Sequence, residues 1–113
     1  MDIASDELLL ELDRIEETLD EAVRLAGLGC DPEFERRLDN HLRSLRGMLD
    51  PEQVSVANDA MEAAERAMNA ADPEAPLLML RICRENLATM IRRVAASRMR
   101  PAARTAAQPA AAG

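Results

Sequence analysis

Tryptophan and tyrosine are absent and Phe34 is the one aromatic, so any core this chain buries must be built of Leu, Ile, Val, Met and Ala. That composition suits helices packed on helices and argues against a sheet sandwich, whose strands draw on aromatic and β-branched residues. Lysine is also absent: all 14 basic residues are arginine, which together with the alanine excess reflects nucleotide composition and says little about nucleic acid. No stretch approaches the roughly 18 apolar residues of a membrane span, and no cationic segment leads into an apolar run at the start. We therefore expect a soluble, cytoplasmic protein with no membrane partner. At 113 residues the chain is the size of one domain.

The scarcity extends to chemistry. Cys30 and Cys83 lack CxxC spacing, so they read as two free thiols, Cys83 buried, rather than as a redox or metal pair. His41 is the only histidine, and a carboxylate-bridged metal site in a bundle would need glutamate three residues before it, where Leu38 stands. Haem-attachment, phosphate-loop and nucleophile-elbow patterns are missing. The expectation is no enzyme, no cofactor, no metal and no small-molecule substrate.

What is present is helical patterning. Residues 50–71 carry an apolar seam of Val54, Ala57, Met61, Ala64, Met68 and Ala71, with a second stripe of Val56, Ala60, Ala63, Ala67 and Ala70 beside it. A helix so broadly apolar, and so rich in alanine, is expected at the centre of a bundle where neighbours approach its backbone closely. Asp-Pro-Glu occurs three times, at 31–33, 50–52 and 72–74. Aspartate caps free amides, proline suits the first helical position, and glutamate favours the positive helix end, so each marks a helix start.

The expected fold is all-α: a small antiparallel bundle of three to four helices over 1–98, at about 5–27, 32–48, 51–71 and 74–98, followed by a disordered Ala/Arg/Pro tail over 99–113. Ser5 is the expected cap of the first helix, with Leu8, Leu12, Ile15, Leu19, Val23 and Ala26 as its seam and Glu11 among the acids that cover the rest. Phe34, Leu38, Leu42, Leu45 and Leu49 form the seam of the second, and Leu80, Cys83, Leu87, Met90 and Val94, with Ile82 and Ile91 beside it, that of the last. Residues 1–76 hold 20 acids against 7 arginines, a balance of −13, and residues 77–113 hold Glu85 against 7 arginines, a balance of +6. The preferred reading sets the acidic first helix beside the basic last one; the other leaves two charged surfaces for partners. DNA binding is disfavoured by the acidic bundle.

Two functional readings follow. Leu77, Leu78, Met79 and Ile82 crowd apolar residues around the start of the last helix, more than one core can take because successive residues turn by about 100°. Either that turn is enclosed on all sides, or part of it meets another protein or a second copy as a homodimer. A non-enzymatic interaction module, an adaptor or chaperone-like factor, is the first reading. The alternative is a histidine phosphotransfer protein using His41 at an exposed helix edge, although the lysine and glycine expected to follow such a histidine are not in place.

The stretch MLDPEQVSVANDAMEAAERAMNAADPEAPLLMLRICRENLATMIRRVAASRM, within about 38–99, resembles the C-terminal helical lid of the 70-kilodalton heat-shock chaperones: a helix of alanine and long aliphatics, a short acidic turn, then a longer helix. The resemblance implies a lid-like bundle that contacts other proteins. Nothing resembles that family's nucleotide-binding or peptide-binding parts, so ATP hydrolysis and the main peptide cleft are not implied.

Overall fold

Two aspartates cap two of the helices. The computed structural model describes residues 3–99, with side chains from Ser5 onward, and resolves α1 (Ile3–Arg24), α2 (Pro32–Arg46), α3 (Pro51–Asn69) and α4 (Glu74–Met99). The expected tail lies, apart from Met99 at the end of α4, outside the described residues. Asp31 accepts from the Phe34 amide at 2.8 Å, and Asp50 and Gln53 bond each other's backbone amides in a reciprocal box. The third Asp-Pro-Glu departs from the pattern: α4 begins at Glu74, Pro73 supplies the first helical carbonyl to the Leu77 amide at 2.8 Å, and Asp72 only reaches the Glu74 amide at 3.5 Å.

The helices run up, down, up and down. Glu11 and Glu21 of α1 meet His41 and Arg37 of α2, while Ser5 and Asp20 meet Ala95 and Arg84 of α4, so both neighbours of α1 are antiparallel to it. The helices α1 and α3 touch across the middle, whereas α2 and α4 scarcely meet. Alanine explains this short diagonal. Ala57, Ala60, Ala63, Ala64 and Ala67 are all buried on α3, and with no side chain beyond Cβ they let the α1 backbone come near. Met61 and Met68 fill what the alanines leave, and Glu62 and Arg66 face solvent, as the seam predicts. The acidic and basic helices do lie side by side: Arg84 pairs with Asp20 at 3.2 Å and Glu16 at 3.7 Å, and Arg92 with Glu16 at 3.6 Å.

Several positions depart from the periodic reading, each for a tertiary reason. Ser5 is not a cap: α1 begins at Ile3, and the buried Ser5 hydroxyl donates to the Ala95 carbonyl at 3.4 Å, where the end of α4 crosses the start of α1. Ala22 takes the buried place expected for Val23, which is exposed. Glu11 does not face water but is buried against α2. On α4 the buried face is Leu80, Leu87, Ala88, Ile91 and Ala95, and Cys83, Met90 and Val94 at its edge are only half-buried. Cys83 is thus not the buried thiol expected.

The α1 helix stops at Arg24, earlier than about 27, because α3 captures the connection. The amides of Gly27 and Gly29 donate to the carbonyls of Ala67 (3.0 Å) and Met68 (2.7 Å), and both glycines take positive φ, 82° and 93°. At Gly27 a Cβ would also come 3.5 Å from the Ala70 carbonyl oxygen. Gly27→Ala should therefore cost about 1 kcal/mol through left-handed strain, read as a lower urea midpoint with an unchanged slope.

Candidate functional site

Two features stand out from a leucine and alanine core. The first is polar and buried. His41 lies on the α1-facing side of α2, one position before the buried Leu42, and its ring closes a gap between α1 and α2 in which Glu11 and Thr18 stand two turns apart. Nδ1 is 2.7 Å from Glu11 Oε2 and Nε2 is 2.9 Å from Thr18 Oγ1. The His41 and Glu11 side chains are 12% and 7% exposed. The hydrogen bonds close in either of two ways. A neutral ring donates from Nδ1 and accepts the Thr18 hydroxyl at Nε2; an imidazolium donates at both, freeing that hydroxyl for the Arg14 carbonyl 3.1 Å away.

Arg37 closes the cluster from the solvent side. It donates to Glu21 at 2.8 Å and to Thr18 at 3.4 Å, and its guanidinium lies 5.0 Å from the Phe34 ring centre. The exposed-edge histidine expected from the sequence is therefore an enclosed one: α2 turns it inward, and α1 supplies a partner to each nitrogen. A phosphoryl group could reach either nitrogen only after the ring leaves those partners. Glu11 and Thr18 were missed because neither has a motif; they become legible only once α2 is laid on α1.

The second feature is apolar and exposed. On α4, Leu77 packs partly onto the core, but Leu78, Met79 and Ile82 are 57%, 50% and 48% exposed. Of the two alternatives for this turn, partial exposure is the one realised. The α1 to α2 connection ends at the same end of the bundle, tied there by the Gly27 and Gly29 bonds to α3 and by the Cys30 amide on Asn69 Oδ1 at 2.8 Å. It brings exposed Leu25 and Leu28 to that end, where Val23 on the last turn of α1 is also exposed. Among the described residues the other large exposed apolar side chains are Leu10 and Met99. Leu25 and Leu28 escaped sequence reasoning because a connection has no periodicity to break.

Comparison with protein-family models, with curated proteins and with solved structures finds no match.

The remaining chemistry is quiet. Burial pushes both thiols up from their ordinary range, helped at Cys30 by the carboxylates of Glu35, Glu65 and Asp31 and at Cys83 by Asp59. Both thiols are accordingly poor nucleophiles. Among the described residues no group of three or more His, Cys, Asp or Glu is placed to hold a metal ion, and no helix is long and apolar enough to cross a membrane.

Proposed function

We propose that this chain is a non-enzymatic protein-interaction module, a small cytoplasmic adaptor or chaperone-like factor that presents one end of its bundle to another protein or to a second copy. The observation that carries the reading is the exposure of Val23, Leu25, Leu28, Leu78 and Met79 at the end where two connections meet, with Ile82 exposed further along α4. Single exposed apolar residues are ordinary on a protein surface; a gathered set marks a place where another surface docks. The lid resemblance of the α3 and α4 hairpin supports the same reading. Engagement of Arg37, Arg84, Arg92 and Arg98 within the fold leaves fewer arginines for nucleic acid, which stays disfavoured.

Affinity capture from the native host tests this with three baits: wild type, Leu78→Glu/Met79→Glu, and Leu10→Glu as a control away from the site. The expected result is a protein held by wild type and control and released by the double variant, with all three equally helical by circular dichroism. Identical capture by all three, or none by any together with a wild type that stays monomeric, would refute the proposed surface.

A further inference from the structure

The apolar side chains of α4 are flanked by four charged residues, three of which enter no ion pair of the fold among the described residues. Leu78 shares a surface groove with Glu74 and Arg81, and Arg81, Glu85 and Arg92 line the next groove along the α1 side of α4. These four charged residues thus lie on one flank of the exposed face. Glu74, Arg81 and Glu85 are exposed and form no ion pair among the described residues. Arg92 reaches Glu16 at 3.6 Å while its side chain stays 60% exposed. Within the helix Arg81 precedes Glu85 by four residues, the less favourable order for a local pair, and no bond joins them.

Their spacing is symmetric about one point. Glu74 and Arg92 stand nine residues to either side of Cys83, and Arg81 and Glu85 stand two residues to either side. Turning a second α4 end over end about that point keeps the same flank facing itself and sets every acid against a base. Arg81 then faces Glu85 of the partner, Glu74 faces Arg92 of the partner, and the two-fold axis repeats each pair. The same turn lays Ile82 beside its own copy and brings Leu78 and Met79 level with the partner's Ala88 and Leu87, where Asn86 and Thr89 are the exposed residues. Parallel helices would instead set Arg81 on Arg81 and Glu85 on Glu85, like against like. Arg84 and Arg93 have no such counterpart, but an unrelated partner gives no reason for the four charges of this flank to mirror each other in opposite sign.

We infer that the occupant of this face is a second copy of the chain, docked through antiparallel α4 helices about a two-fold axis beside Cys83. The inference rests on the interaction-module reading and names its partner. Sedimentation equilibrium of the purified full chain over a dilution series tests it, with circular dichroism and melting to show that each variant is folded. Wild type should dimerise reversibly. Arg81→Glu and Glu85→Arg should each weaken the dimer by roughly tenfold, since each sets like charges together at two symmetric places. The double swap Arg81→Glu/Glu85→Arg should return the dissociation constant to within roughly threefold of wild type, because opposite charges face each other again.

A double swap no stronger than the single variants overturns the antiparallel register. A wild type monomeric throughout overturns the second copy, while loss of host-protein capture on Leu78→Glu/Met79→Glu would then still uphold the face as a site for another protein. A monomer combined with unchanged capture overturns both.

Discussion

Met68→Ala is expected to lower the unfolding free energy by about 2–5 kcal/mol, a large part of the roughly 5–15 kcal/mol that holds a domain of this size together. Met68 is 1% exposed in the last full turn of α3. Its buried neighbours within one turn of α3 are Ala64 and Ala67, which have no longer rotamers with which to fill a vacated space. Its own carbonyl receives the Gly29 amide at 2.7 Å, which further limits collapse of the backbone into the gap. The loss therefore combines the transfer term for the missing atoms with a cavity term that relaxation cannot erase. Met79→Ala is the internal control, because Met79 is half exposed and should cost under about 0.5 kcal/mol in the monomer. Urea unfolding at a concentration too low for self-association reads both. A Met68→Ala loss no larger than that of Met79→Ala would mean that alanine packing, not methionine filling, sets the stability of α3.

That contrast separates what a linear pattern can carry from what it cannot. The α3 seam from Ala57 to Met68 and the aspartate caps of α2 and α3 were legible because their causes are local: a 3.6-residue period, and a side chain that caps amides within the next turn. Phe34, Leu38, Leu42, Leu45 and Leu49 are all buried as expected for the same reason. Val54, by contrast, is half-buried, and Ala71, past the end of α3 at Asn69, is exposed. Glu11 was not legible. It sits at the edge of the α1 seam between Leu8 and Leu12, and whether such an edge meets water or a neighbour depends on where α2 is laid down. Val23 and Ala22 exchange roles on similar grounds, since α1 meets a close-packed α3 at its end and the smaller residue fits. The candidate site divides in the same way. Crowding at Leu77, Leu78, Met79 and Ile82 is written within six residues of sequence, whereas the contribution of Leu25 and Leu28 exists only because α3 draws the first connection to the same end.

The bridge between Glu11 and His41 carries the other large expected effect, and a double-mutant cycle decides its meaning. His41→Leu should cost about 3 kcal/mol, because it leaves a buried carboxylate whose remaining ion partner, Arg14, is 3.6 Å away on a side chain that is 61% exposed. Glu11→Leu should cost less, since Thr18 still faces the ring at Nε2. The combined variant Glu11→Leu/His41→Leu should recover most of the loss. Two leucines of suitable volume then face each other across α1 and α2, and Thr18 keeps its bond to the Arg14 carbonyl. Recovery would mean that the polar bridge adds little net stability, and that its effect lies in fixing where α2 sits on α1. A leucine interface alone could slide by one helical turn with its seam still in contact, but Glu11 and Thr18 together accept His41 in one register. If instead the two single losses simply add, with a coupling energy within about 0.5 kcal/mol of zero, the ring and the carboxylate act independently and the register argument falls.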